Sequence, residues 1–244
     1  ENLKLYLRAV ARNEKLDSIA SHLIISDIYS NLNYSSLNQA TNITEFLEAI
    51  RGTPYYSTLD AFVDEEPTTM VFHMEMVLDQ VYFNTLQEAI MNLKNTDKKL
   101  MLELLGINVD ILNVQWIFRG RNYFDISSEE LFNFTLNGGK RYDYKALKKF
   151  CYMDLEDFKR IVSSGEYKDI FADKDYMLER AMERQLYYEL DNFTKLSGLS
   201  IVLPVVLIFK FEYEIRDLFT ILEGIKYHAS DISELLIRDL RRER

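Results

Sequence analysis

The sequence is poor in turn residues, sulfur, histidine and positive charge. Gly 8 and Pro 3 in 244 residues fall well below the usual shares of about 7% and 5%, which excludes a many-stranded β fold whose turns depend on them. One cysteine, Cys151, excludes an internal disulfide framework and a cysteine-rich zinc site, and it fits a reducing compartment. Lys and Arg number 29 against 39 Asp and Glu, a formal charge of −10. No basic field draws a phosphate backbone, so a nucleic acid partner is not expected. The most apolar run, Ile201 to Phe211, spans eleven positions and contains Pro204 and Lys210. Crossing a bilayer takes about twenty apolar residues, so this run reads as a buried helix and no direct transmembrane segment is expected. No signal peptide is visible, and Glu1 opens straight into an apolar-periodic segment, as if the sequence began inside a longer protein.

What remains is an ordinary globular balance, 48% hydrophobic and 28% charged, with Tyr 16 and Phe 15, enough to bury a core. Helices are the default. Leu3, Tyr6, Leu7 and Val10 recur at helical spacing, and Asp17 is placed to cap a helix through Ile19, Leu23 and Ile24. Phe46, Leu47 and Ile50 share one face of a helix over 43–51, which Gly52, Thr53 and Pro54 end. After an acidic turn at Asp64, Glu65 and Glu66, apolar residues recur over 70–93 as in a long packed helix. A polar break at Asn95 to Lys98 leads into 100–105, and Gly106 separates that segment from the next. Ser127 and Glu130 have the spacing of a capping box. Asn137, Gly138, Gly139 and Lys140 form the clearest loop. Helices over 154–162, 175–195 and 201–224 follow, Pro204 being tolerable in a first turn. Ser230 or Asp231 restarts a final helix rich in Arg238, Arg241, Arg242 and Arg244, cations suited to a helix C-terminus.

The chain repeats itself. Asn113, Arg119 and Gly120 sit in an apolar setting answered by Asn2, Arg8 and Ala9, and again by Asp217, Glu223 and Gly224, at offsets of 111 and 104 residues. Phe46 and Tyr55 match Phe158 and Tyr167 at an offset of 112, and Glu75, Asp79 and Phe83 match Glu179, Glu183 and Tyr187 at 104. The period is too long for a solenoid. It divides the chain into the end of one helical repeat over 1–35, a second over 36–138 and a third over 139–244, the front of the first being absent.

Little of this resembles an active site. His22, His73 and His228 never pair at ligand spacing, so His73 reads as a helix-surface histidine and no metal is expected. Gly138, Gly139 and Lys140 lack the spacing of a phosphate loop and read as a flexible surface loop. Cys151, without a histidine partner, reads as a buried thiol. No cofactor is expected. The recurring acids of one helix and Arg8 and Arg119 of another suggest ion pairs between neighbouring helices; a partner-contact role for Arg8, Arg119, Arg121 and Glu223 is the alternative.

The helix from Asn113 to Gly120, the Phe46 to Tyr55 turn, the Glu75 and Asp79 helix and the segment FKFEYEIRDLFTILEGI over 209–225 together resemble the C subunit of bacterial and archaeal V-type (A-type) ATPases and ATP synthases, equivalent to the d subunit of the eukaryotic vacuolar ATPase. The resemblance spans essentially the whole chain and implies an all-α funnel of three similar domains about a pseudo-threefold axis, the first truncated here. It implies a non-catalytic rotor adaptor on the cytoplasmic side of the membrane, peripheral, between the central stalk subunits D and F and the membrane ring of proteolipid subunits. Torque would pass through it during ATP-driven transport of protons or sodium ions, or during ATP synthesis. Glu223 and Asp217 depart from the Arg and Asn of the other copies. The residues also fit a helical-repeat scaffold for protein–protein interaction and, less well, an enzyme built on Glu75, Asp79, Glu179 and Glu183.

Overall fold

The computed structural model describes residues 1–14, 16, 19, 23–24, 32–124, 126–171, 175–195, 199–229 and 231–238. The expectations resting on Asp17, His22, Ser230, Arg241, Arg242 and Arg244 lie outside the described residues. Among those described the chain is all-α, with no strand. It forms two compact units, Glu1–Leu86 and Gln87–Arg244.

In the first unit, α1 (Asn2–Ala11) buries Leu3, Tyr6, Leu7, Ala9 and Val10, the face its spacing dictates. Leu23 and Ile24 are not helical, contrary to the expected capped helix; Asn2 instead holds the Ile24 backbone, accepting from its N–H at 3.0 Å and donating to its carbonyl at 2.5 Å. The short α2 (Tyr34–Leu37) packs on α3 (Ile43–Ala49). Asn42 caps α3 by accepting from Glu45 N–H, and the chain leaves it through Gly52 at φ +86°, a conformation glycine adopts without penalty. A turn of helix, α4 (Tyr56–Leu59), comes next, and then α5 (Pro67–Met91), whose N-terminal proline lies where no helical N–H is needed.

The second unit is built on α6 (Asn95–Asn122), 28 residues long. Neither the polar residues at 95–98 nor Gly106 interrupts it. Asn95 to Lys98 make its first turn, with Asp97 suited to the positive end of the helix. The Gly106 carbonyl accepts the Lys140 N–H at 3.2 Å, and a Cβ on Gly106 would lie 2.9 Å from that nitrogen. Among the described residues α6 is the one helix long and apolar enough to cross a membrane, yet 61% of that window is buried inside the protein. Around it pack α7 (Ser128–Asn133), α8 (Tyr144–Tyr152), α10 (Leu178–Thr194) and α11 (Val202–Lys226). The capping box of Ser127 and Glu130 starts α7, Asp143 caps α8, and Asp154 caps α9 (Leu155–Ser163). The segment after α11 is a short 3-10 turn, Ile232–Leu235, rather than the expected helix. Leu236 leaves it in an extended conformation, and the N–H groups of Ile237 and Arg238 are then taken by Asp217 of α11. Nor is α11 a buried helix: Leu207, Ile208 and Phe211 are all more than half exposed.

The repeated residues do the same physical task three times. A carboxamide both donates and accepts, and Asn113, wholly buried, accepts the Leu136 N–H at 2.8 Å and donates to the Leu136 carbonyl at 2.9 Å, as Asn2 does with Ile24. Asp217 can only accept. It takes two consecutive N–H groups instead, from Ile237 at 2.7 Å and Arg238 at 2.9 Å. In each copy the core helix clips the segment that returns across it 20 to 23 residues later. The small residue seven positions after the clip makes room for that return: a Cβ on Gly120 would lie 2.8 Å from Leu131 Cδ1, and one on Gly224 would lie 2.6 Å from Ile232 Cγ1. Asn113→Ala is expected to lower stability by roughly 2–4 kcal/mol, because it strands the buried N–H and carbonyl of Leu136; urea denaturation followed by circular dichroism measures it.

Candidate functional site

The expected ion pairs are present between the elements the sequence matched. Arg8 on α1 grips Glu75 on α5 through Nε and, at 2.9 Å, through Nη2; Lys4, one turn earlier, reaches Asp79. Arg119 on α6 donates to Glu179 on α10 at 3.1 Å, and Gln115, in the register of Lys4, donates to the same carboxylate at 3.2 Å. Arg121 points elsewhere, donating to the Met153 carbonyl at the end of α8. Glu223 is exposed and has no side-chain partner among the described residues. The four candidates serve different ends: two join long helices, one holds a helix end, and one stands in solvent. Glu183 is engaged by Arg180 and Arg216, so the acids that an enzyme reading would use are neutralised by cations.

The features with a resemblance to chemistry are structural. His73 is buried, not on a helix surface, and its Nδ1 is hydrogen-bonded to Glu65 Oε2 at 2.6 Å. No group of three His, Cys, Asp or Glu able to hold a metal ion occurs among the described residues. Cys151 is fully buried, and burial pushes its thiol up to about 12, which removes the thiolate a nucleophile requires.

The Gly138, Gly139, Lys140 loop is docked rather than flexible. Asp110, wholly buried in α6, accepts the N–H of Arg141 at 2.7 Å, that of Tyr142 at 3.1 Å and the Tyr167 hydroxyl at 2.9 Å. A Cβ on Gly139 would meet Asp110 Oδ1 at 2.1 Å, so only glycine admits this approach. Lys140 turns away to pair with Glu103 at 2.8 Å. The Lys140 N–H is committed to the Gly106 carbonyl, and the next two amides, of Arg141 and Tyr142, to the Asp110 carboxylate. Neither Asp110 nor Tyr167's part in its network is evident from the motifs, but a lone acid in the apolar run GINVDILNV was the available signal, since a charge buried there needs donors around it.

Two predictions rest on this geometry. The Arg119 and Glu179 side chains are 39% and 67% exposed, those of Lys4 and Asp79 only 12% and 18%. Arg119→Ala is expected to cost less than about 1 kcal/mol, whereas Lys4→Met, which leaves Asp79 buried and unpaired, is expected to cost roughly 2–4 kcal/mol; parallel urea titrations compare them. Burial raises the Asp110 carboxyl above the ordinary carboxylate range, outweighing the bonds from Arg141, Tyr167 and Tyr142. A raised folded value means that folding favours the protonated form, so this contribution is complete below about pH 3.9 and is lost as pH rises through the raised value. Asp110→Asn does not titrate. The wild type is therefore expected to lose stability relative to that variant as pH rises above about 3.9 and through the raised value, read from unfolding midpoints at several pH values.

The ATP synthase (C/AC39) subunit family matches residues 1–235. A protein of Methanococcoides burtonii named as the C subunit of an A-type ATP synthase is 24% identical over 98% of this chain and 66% of its own length. A Methanosarcina acetivorans protein of the same name is 25% identical over 98% of this chain and 65% of its own. That of Thermococcus kodakarensis is 24% identical over 75% of this chain and 50% of its own length. The chain spans just under two thirds of the length of the first two relatives. A match that runs through all three clipped core helices, over 235 of 244 residues, is decisive: the chain belongs to the ATP synthase (C/AC39) subunit family.

Proposed function

We propose that the chain is a non-catalytic rotor adaptor of an A/V-type ATPase, joining the central stalk subunits D and F to the membrane ring of proteolipid subunits and lying peripherally on the cytoplasmic side of the membrane. It would carry torque during ATP-driven transport of protons or sodium ions, or during ATP synthesis. The observation that carries this reading is the family match over residues 1–235, with relatives named as the C subunit of an A-type ATP synthase. We take the repeats 36–138 and 139–244, with 1–35 closing another, as three similar domains arranged as a funnel about a pseudo-threefold axis, with Arg8, Arg119 and Glu223 at equivalent places. The recurrent clips at Asn2, Asn113 and Asp217 support that arrangement.

The packing suits the task. An adaptor under torque must not deform, and close-packed interiors transmit strain. The aromatic contacts that run from Phe118 to Phe171, on to Phe158 and Phe150, and then to Tyr142 and Tyr167 have ring centroids 4.9 to 5.9 Å apart, the spacing at which tilted and edge-on rings attract. The purified chain is expected to be retained by an immobilised D and F stalk complex and to hydrolyse no ATP by itself. Absence of retention, or ATP hydrolysis by the chain alone, would overturn the reading.

A further inference from the structure

Residues 140–149, KRYDYKALKK, carry five cations and one acid in a chain whose formal charge is −10. Lys140 and Arg141 are engaged by Glu103 and Glu166. The three that follow, Lys145, Lys148 and Lys149 of α8, are exposed, and their side chains make no ion pair or hydrogen bond among the described residues. Tyr144, Lys148 and Tyr152 form one row of the helix at i, i+4 and i+8, and Lys145 and Lys149 form the row beside it. Leu147, Phe150 and Cys151 face the core on the opposite side. Tyr144 and Tyr152 are 60% and 55% exposed. No acid stands three or four residues from any of the lysines, so their mutual repulsion works against the helix. The helix dipole accounts for Lys149, in the last turn, but not for Lys145, in the first. Nor does the fold require them. At an offset of 110 residues α8 repeats α2: Asn33 and Asp143 cap by accepting from Ser36 N–H at 3.1 Å and Ala146 N–H at 2.9 Å, and Leu37 and Leu147 are the buried anchors. The three lysines fall on Ser35, Asn38 and Gln39, all exposed and all neutral.

We propose that the exposed face of α8 is a contact surface for an anionic lipid bilayer. The choice of lysine points there. An ammonium is a point charge on a flexible stem, whereas a guanidinium is a fixed fork that matches one carboxylate. This chain uses the fork where it joins α1 to α5, Arg8 taking both oxygens of Glu75. Three unpaired ammonium groups on the convex face of a helix suit charge spread over a plane, and each lysine close to an anionic leaflet strengthens attachment roughly fivefold. Tyrosines bracket the lysines, and tyrosine, apolar in its ring and polar at its hydroxyl, settles at the level of the headgroups. The apolar side of α8 is committed to the core, so α8 rests on the headgroups and does not insert. At about 0.1 M salt the Debye length is about 10 Å, shorter than α8, whose nine residues span about 14 Å. The distant acids of the chain are then screened from the bilayer while the lysines touching it are not. This goes beyond the adaptor reading and does not rest on it.

The test exchanges the lysines for the residues that α2 carries at the same places. Lys145→Ser, Lys148→Asn and Lys149→Gln are combined in the 244-residue chain, with circular dichroism to check that the fold is kept, and a second variant replaces all three lysines by arginine. Flotation at about 0.1 M salt measures retention on vesicles of phosphatidylglycerol and phosphatidylcholine in equal parts, and on vesicles of phosphatidylcholine alone. The wild type is expected to float with the anionic vesicles only, and to leave them at about 1 M salt, where the Debye length falls to about 3 Å. The neutral variant is expected to partition roughly tenfold more weakly or worse, and the arginine variant to match the wild type. No flotation of the wild type, flotation on phosphatidylcholine alone, or flotation kept by the neutral variant overturns the proposal. So does displacement by inorganic phosphate at constant ionic strength, which would assign the lysines to a free anion. Loss of D and F stalk retention in the neutral variant would assign them to an acidic protein surface and overturn it equally. Failure of the wild type to bind the stalk strikes the adaptor reading alone, so the two can fail separately.

Discussion

Everything in the repeat hangs on one polar side chain set in an apolar helix. Burying a carboxamide without partners costs several times what its bonds return, so the position is tolerable only if another stretch of backbone comes to it. Asn113 thereby dictates where the chain must pass 23 residues later, and the glycine at 120 dictates how closely. One hydrogen-bond requirement and one missing Cβ convert a lone helix into a helix with its return segment attached, before any hydrophobic packing is counted.

The third copy shows how the same geometry survives a change of chemistry. Asp217 lacks a donor and so cannot pair with the N–H and carbonyl of one residue. It spreads its two oxygens over two successive N–H groups, those of Ile237 and Arg238. The change from Arg119 to Glu223 is of the other kind, since it alters what lies outside the copy rather than within it.

The helices were legible because they are long and periodic. The buried face of α1, the capping box at Ser127 and Glu130, the end of α3 at Gly52 and the first-turn position of Pro204 follow from local rules that tertiary contacts reinforce. Failures came where a distant backbone supplies or takes a bond. Gly106 reads as a break until Lys140 is seen to dock on it; the Gly138 and Gly139 loop reads as flexible until Asp110 is seen beneath it; the segment after Asp231 reads as helix until Asp217 claims the amides of Ile237 and Arg238. His73 reads as a surface residue for want of any local sign that Glu65 folds back to it. The helix α8 has no counterpart among the expected elements, although Leu147, Phe150 and Cys151 give it a buried face. Arg8 and Arg119 could be matched to Glu75 and Glu179 only because the pattern occurs twice.

The start of α11 is fixed by a residue far away in sequence: Asp97, in the first turn of α6, accepts the Ser200 hydroxyl at 2.7 Å and the Ile201 N–H at 3.1 Å. Past the middle of the helix Asp217 holds residues 237 and 238. At 1.5 Å per residue the two anchors are roughly 24 Å apart along the helix. A rod fastened at two separated points can neither roll about its axis nor slide along it without breaking a charge-assisted bond. Its bare face therefore keeps a fixed bearing and behaves as a keyway rather than a roller.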